Sequence, residues 1–201
     1  VDEALSRGAS VTLVAIGDLH DTYAPPHAHA DRLKRCRVVS AADFAATVRE
    51  ELTGAIAHAC PYTVLISAAA IGDFMPEATA NTKISSDNDT LVVTLKRTPK
   101  TISVAREAAP DVFMVAFKAE SEQHTEDLLA KARHRLKSSG ANMIVANNVS
   151  SANPGTGFKS DTNEVYVLDA AGACVHVPLS SKRAVAQRVV DLIVERLPAH
   201  K

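Results

Sequence analysis

Apolar residues along this chain fall into two alternating rhythms, short continuous runs and longer stretches with a repeat of three to four. Val1 to Gly8 reads as the last turns of a helix closed by Gly8, and the β-branched run Ser10 to Ile16 predicts a strand. A polar stretch with Pro25, Pro26, His27 and His29 leads to a short strand at Arg37-Val38-Val39. Ser40 is placed to cap a helix from Ala41 to His58, with Phe44, Val48, Leu52, Ala55 and Ile56 on one face. Tyr62 to Ile66 is apolar enough to be buried on both sides, as parallel strands usually are.

Gly72 to Asp89 is long, polar and aperiodic, the signature of a functional or mobile loop. Leu91 to Leu95 predicts a strand, and Thr98-Pro99 predicts an N-cap followed by proline in the first helical turn. Val112 to Phe117 is a further buried strand, a helix runs from about Gln123 to Ser138 and stops at Gly140, and Met143 to Ala146 is the next strand. A loop from Asn147 to Thr162 precedes a hairpin of Glu164–Leu168 and Cys174–Val177 around Ala171-Gly172; a last helix starts at Ser180 and is closed by Pro198. Strands alternating with helices imply an α/β fold with a mainly parallel sheet and a β-hairpin near the C-terminus. No linker divides residues 1–201, so a single domain is expected.

The 201 residues are 46% hydrophobic and 22% charged, which excludes a disordered tail, a coiled coil or a disulfide-stapled mini-protein. No apolar run approaches the roughly 18 residues of a membrane span, and Asp2 and Glu3 stand where an export signal has basic residues. Cys36, Cys60 and Cys174 are scattered, without a C-x-x-C pair, and are expected to be reduced and buried in a cytoplasmic protein, with no metal site among them. Basic and acidic residues number 22 and 23, and aromatics make up 4%. Both argue against a nucleic-acid surface, so an anionic partner must be met by a local basic site.

Ligands of open α/β sheets bind beyond the carboxyl ends of the strands, and three strand ends here carry unusual polar sequence. In Ser67-Ala68-Ala69-Ala70-Ile71-Gly72-Asp73, small residues let a flat ligand approach the backbone, and a carboxylate just beyond can accept from a sugar hydroxyl or hold a metal ion. A tight turn with an exposed aspartate explains the same letters. Phe117-Lys118-Ala119-Glu120 is either a site or a solvated strand exit, and the asparagines of Ala146-Asn147-Asn148 serve equally as turn formers. Arg133 and Lys137 share a helix face and could clamp a polyphosphate, although charged helix faces are common. Lys83 has the same two readings, and the helix start at Pro99-Lys100-Thr101-Ile102 offers free N–H groups suited to a phosphate or to plain capping. The histidines, including His20, His27 and His29, form no metal-binding spacing. No G-x-G-x-x-G, Walker loop or G-x-S-x-G elbow is present.

Taken in order, Ile66 to Phe74, Lys83-Ile84, Leu91 to Leu95 with Thr98 to Ile102, Ala116 to Glu120, Ile144 to Asn148 and Gly157 to Asp161 resemble the phosphopantothenoylcysteine synthetase family, the phosphopantothenate–cysteine ligases of coenzyme A biosynthesis. The compact Lys-Ile-Ser-Ser segment resembles the archaeal branch. The resemblance implies a Rossmann-like three-layer fold and amide formation in two steps. A nucleoside triphosphate, CTP or alternatively ATP, activates the carboxylate of 4'-phosphopantothenate as an acyl nucleotide, with Mg²⁺ expected, and the amine of L-cysteine then displaces the nucleotide. It places Ser67, Ala68, Ala69, Asp73, Lys83, Pro99, Lys100, Thr101, Ile102, Phe117, Arg133 and Lys137 around the nucleotide, Asn147 at the substrate, and Lys83 at the head of a catalytic flap. Lys118 replaces a small residue of many bacterial members.

The resemblance begins at Val1, in the helix that follows the family's glycine-rich opening segment with its Asn-x-Ser-Ser-Gly motif. That segment and the flavin-dependent decarboxylase domain found ahead of many members are thus expected to be lacking, and no FMN is expected. The resemblance further implies a homodimer paired through extended strands, with Leu91 to Leu95 as the edge. Two other readings remain: a nucleotide-binding remnant that joins nothing, and a Rossmann-like reductase, which leaves the Ala-Asn-Asn and Lys-Ile signatures without a role.

Overall fold

A computed structural model describes residues 1–17, 27–54, 60–78, 80, 82–85, 89–122, 124–150, 155–157 and 159–198. The chain opens with α1 (Asp2–Ser6), β1 (Val11–Ile16), a 3-10 helix (His27–Arg32), β2 (Leu33–Val38), α2 (Ala41–Thr53), β3 (Val64–Ser67), β4 (Phe74–Pro76) and β5 (Leu95–Arg97). It continues through α3 (Thr101–Ala108), β6 (Phe113–Glu120), α4 (Thr125–Ser139), β7 (Met143–Asn148), β8 (Thr162–Asp169), β9 (Cys174–Ser181) and α5 (Lys182–Arg196). His20, Pro25, Pro26, Ala55, Ile56, His58, Gln123 and Phe158, used above, lie outside the described residues, as does the side chain of His27.

The apolar runs become the middle of an α/β/α stack. Five strands form a sheet in the order β3-β6-β7-β8-β9, in which β3, β6 and β7 are parallel and the β8–β9 hairpin is antiparallel. Because side chains alternate across a strand, β6 sends Met114 and Ala116 to one face and Phe113 and Val115 to the other. The first face packs against Phe44, Val48 and Leu52 of α2, Ile102 and Ala105 of α3, and Leu128 and Ala132 of α4. The second packs against Val185, Val189, Leu192 and Ile193 of α5. β1 and β2 form a separate parallel pair, and β4 and β5 a short antiparallel ribbon.

Local chemistry sets the element ends. The Ser40 side chain accepts the Asp43 N–H at 3.1 Å as the N-cap of α2, and Gly54, at φ 64°, ends that helix. Gly140 ends α4 in the left-handed conformation. Ser181, one residue after the expected Ser180, caps α5 by accepting the Ala184 N–H.

β4 is a strand inside the stretch expected as a loop from Gly72 to Asp89, and further sequence expectations are corrected. β2 starts at Leu33, ahead of the expected Arg37. Its Lys34, Arg35 and Arg37 hide it from an apolar-run reading, and its exposure at a sheet edge favours those charges. The strand expected over Leu91 to Leu95 begins only at Leu95 and runs to Arg97, because the opposing strand is only Phe74–Pro76 and its register pairs Phe74 with Arg97. Thr98 is not the N-cap of α3: its N–H donates to Asp73 O at 2.9 Å, and Lys100 takes the cap position. Cys60 and Cys174 are exposed and Cys36 is half-buried, since Cys60 stands before β3 and Cys174 opens the outer hairpin strand.

Candidate active site

The parallel strands β3, β6 and β7 end side by side, and their carboxyl ends carry the polar letters singled out from the sequence. Ser67, the last residue of β3, pairs in register with Ala116, so Phe117 stands one step beyond it on β6. Asn147 of β7 is in register with Ala119. Phe117 and Asn147 share the face toward α5, whereas Ser67, Lys118, Glu120 and Asn148 lie on the face toward α4. Phe117 is 40% exposed, an unusual state for an aromatic side chain beside a buried strand core.

Asp73 is brought to the amino end of α3 by its backbone. Its carbonyl accepts the Thr98 N–H, the β4–β5 ribbon follows, and a Glu77 N–H to Thr94 O bond of 3.0 Å extends the same pairing. Pro99 and Lys100 are exposed at this helix end, while Thr101 and Ile102 are buried. Thr98 and Thr101 each retain only 8% exposure, and neither side-chain hydroxyl has a hydrogen-bond partner among the described residues. Buried hydroxyls are nearly always satisfied, so two orphans beside a helix amino terminus mark a place built to receive polar groups. Ser67, Ala68, Ala69 and Thr101 line one cavity.

Three further sequence candidates lie on exposed surface. Lys83 is exposed in the stretch between β4 and β5. Arg133 and Lys137 are exposed on α4, whose amino end lies at the carboxyl ends of the strands. At 1.5 Å per residue they sit roughly 12 and 18 Å along the axis from Thr125, toward the amino ends of β6 and β7. The structure therefore gathers Ser67, Ala68, Ala69, Asp73 and Pro99 to Ile102, with Phe117 and Asn147 on neighbouring strand ends, and leaves Arg133 and Lys137 on a helix flank.

An ion network adjoining the strand ends was not legible in the sequence. Lys118 Nζ lies 2.5 Å from Glu120 Oε1, and Lys131 of α4 reaches Glu120 Oε2 at 3.2 Å and also pairs with Glu122. Burial pushes the Glu120 carboxyl up, but the hydrogen bonds from Lys118 and Lys131 outweigh it and hold its pKa below the usual carboxylate range. Asn148 fastens the next turn, its amide donating to Glu122 O at 2.6 Å and its oxygen accepting the Glu122 N–H at 3.2 Å. Only the Lys-x-Glu spacing on one strand face hinted at this cluster; Lys131 joins it through the helix crossover.

No cluster of three or more His, Cys, Asp or Glu side chains suited to a metal occurs among the described residues. Mg²⁺ in phosphoryl-transfer sites is held by one or two carboxylates together with substrate phosphates, and exposed Asp73, whose backbone is tied to Thr98 ahead of α3, carries a carboxylate of that donor type. Among the described residues no helix is long and apolar enough to cross a membrane.

Residues 1–197 match the family model of the DNA/pantothenate metabolism flavoprotein C-terminal domain. The chain is 32% identical over 196 residues to the coenzyme A biosynthesis bifunctional protein CoaBC of Thermococcus kodakarensis, covering 98% of this chain and 43% of that protein; it thus spans less than half the length of this relative. Its fold is similar to the crystal structure of the DNA/pantothenate metabolism flavoprotein from Streptococcus pneumoniae, with a TM-score of 0.73, 22% identity, and coverage of 96% of this chain and 84% of the other. It is likewise similar to the C-terminal domain of a CoaBC protein, with a TM-score of 0.70, 23% identity, and coverage of 98% and 79%. A match over nearly the whole length, on a three-layer fold whose strand ends carry the Ser67-Ala68-Ala69 and Phe117 positions, shows that this chain belongs to the DNA/pantothenate metabolism flavoprotein C-terminal domain family.

Proposed function

We propose that the chain is the ligase part of a coenzyme A biosynthesis enzyme, joining 4'-phosphopantothenate and L-cysteine through an acyl nucleotide, with CTP as activator. The observation that carries this reading is the cavity that Ser67, Ala68, Ala69 and Thr101 line together, with the Asp73 backbone tied to Thr98 three residues ahead of Thr101. A carboxylate is a poor electrophile until its oxygen becomes a good leaving group. In the first step a carboxylate oxygen of 4'-phosphopantothenate attacks the α-phosphorus of the nucleotide, and pyrophosphate departs. In the second step the cysteine nitrogen attacks the acyl carbon, the nucleoside monophosphate leaves, and the nitrogen loses a proton.

The small side chains of Ser67 to Ala69 let the nucleotide lie against the backbone, and the free N–H groups of the α3 amino end with the Thr98 and Thr101 hydroxyls suit its phosphates. Phe117 offers an aromatic face for the base, Asn147 a polar contact for the substrate, and Lys83 a mobile cation to offset charge on the transferring group. The Asp73 carboxylate would hold Mg²⁺, which would supply further charge neutralisation. Lys100 adds a fixed positive charge at the helix end; Arg133 and Lys137 enter this scheme as outlying cations of the same site.

A homodimer fits the exposed apolar ribbon. Phe74, Leu91, Val92, Val93 and Leu95 are each more than half exposed, with Val92 at 91%, and exposed apolar side chains in such number suit an interaction surface.

The test supplies CTP or ATP, 4'-phosphopantothenate, L-cysteine and Mg²⁺ to the full gene product and follows pyrophosphate and amide. Amide formed faster with CTP supports the proposal. Nucleotide binding without pyrophosphate release supports the remnant reading and refutes the ligase.

A further inference from the structure

Antiparallel pairing sets the amino end of β8 beside the carboxyl end of β7, so β8 also brings polar side chains to the strand ends. Ala146 pairs with Tyr166, and continuing that register puts Asn147 opposite Val165 and diagonal to Asn163 on one sheet face. This is the face toward α5, which Phe117 shares on the neighbouring strand. Asn147 Nδ2 lies 3.4 Å from Asn163 Oδ1, and both residues are half-buried.

The backbone fixes which amide atom is which. Asn163 Oδ1 also accepts the Glu164 N–H at 3.0 Å, and a backbone N–H can only donate, so the Asn163 atom in that place is oxygen. The atom of Asn147 that faces the same oxygen must then be nitrogen. Its Oδ1 is left without a hydrogen bond among the described residues. Asn163 is braced from both directions. Ahead of it, Ser160 Oγ and Thr162 Oγ1 donate to Gly155 O at 2.9 and 2.7 Å, and the Lys182 N–H donates to Asp161 O at 2.9 Å. Behind it the register shifts: Asn163 pairs with Ser180 and Val165 with Val177, so three steps on β9 match two on β8. A bulge of this kind re-aims side chains beside a site.

We propose that Asn163 is a positioning residue that holds the Asn147 amide nitrogen toward β8, so that the Asn147 oxygen accepts from the hydroxyl or amide N–H of 4'-phosphopantothenate. The proposal rests on the ligase reading and gives the Asn147 contact its direction. An amide oxygen repels phosphate and carboxylate, which excludes the anionic ends of the substrate. The ammonium group of L-cysteine is held more strongly by a carboxylate than by a neutral oxygen. The neutral donors along the pantothenate arm are the groups that match. Without Asn163 the Asn147 amide is free to turn over and present its nitrogen, which replaces an acceptor by a donor. At 3.4 Å the contact is long, and hydrogen bonds in such sites commonly tighten once substrate is in place.

Steady-state kinetics of the full gene product test the proposal. Asn163→Ala should raise KM for 4'-phosphopantothenate about three- to tenfold. The KM values for CTP and L-cysteine, kcat and the urea midpoint should hardly move. Asn147→Ala should raise the same KM, and adding Asn163→Ala to it should change nothing further, because Asn163 acts only through Asn147. In the free protein the NMR order parameter of the Asn147 side-chain amide should fall in Asn163→Ala. Additive effects in the double variant would overturn the proposal, as would a rise in KM for CTP or L-cysteine instead, or an unmoved order parameter. Absence of amide product from the unaltered protein would refute the ligase reading by itself, and the order parameter still decides whether Asn163 holds Asn147.

Discussion

Replacing Tyr62 by Phe removes a single oxygen from the bridge that holds β1, α2 and the start of β3 together. That oxygen donates to Glu51 Oε2 at 2.6 Å and faces Thr12 Oγ1 at 2.9 Å, while Lys34 holds the other side of Glu51 at 2.7 Å. A hydrogen bond to a charged group contributes about 1.5–3 kcal/mol and a neutral one about 1 kcal/mol. Water can reach this half-buried group and replace part of both, so the expected net loss is about 2 kcal/mol. For a chain of this size that lowers Tm by about 4–8 °C. The assay is urea unfolding of the full gene product, with an unchanged m-value as the check that only stability has moved. A double-mutant cycle with Thr12→Ala should show a coupling of about 1 kcal/mol. Additive effects, or a Tyr62→Phe loss below about 0.5 kcal/mol, would refute the bridge.

The same substitution has a pH signature. Hydrogen bonds from Lys34 and then Tyr62 hold the Glu51 carboxyl below its ordinary value. A carboxylate with a depressed folded-state pKa contributes stability above the unfolded value of about 4.3, and that contribution is lost as pH falls through the folded value. Tyr62→Phe narrows this window, so acid unfolding begins at a higher pH and the Glu51 titration followed by NMR moves upward. An unmoved titration would contradict the assignment.

Three further outcomes are expected. Arg106 donates to Val112 O at 3.1 Å, Gly140 O at 2.8 Å and Asn142 Oδ1 at 3.0 Å, and also to Pro110 O; Arg106→Met should cost about 2–3 kcal/mol in denaturant unfolding, with Arg106→Lys recovering part. Lys83→Gln should slow amide formation about ten- to a hundredfold with unchanged unfolding, and unchanged turnover would show a merely solvated lysine. Val92→Asp should shift light scattering from dimer to monomer, and an unaltered dimer would place the interface elsewhere.

The parallel heart of the fold was readable because β3, β6 and β7 are continuous apolar runs and α2 carries its apolar residues at helical spacing. Gly172, at φ 97°, likewise marked the hairpin that β8 and β9 form. What escaped depends on partners distant in sequence. Charged Lys34, Arg35 and Arg37 are strand residues because β2 pairs with β1, and Thr98 gives its N–H to Asp73 instead of opening a helix. At the site, Ser67 to Ala69 and the α3 start were visible as small residues and a helix beginning. Arg133 and Lys137 share a helix face as expected, yet their height along α4 comes from the crossover and not from their spacing.

The bond between the Asp73 carbonyl and the Thr98 N–H ties the base of the β4–β5 ribbon to the residue just ahead of α3. Ribbon and helix end therefore share one backbone anchor, so a load on the apolar arm at Phe74 or Leu95 is carried to Thr98, two residues ahead of Lys100. The periphery and the centre thus meet at a single bond between two peptide groups.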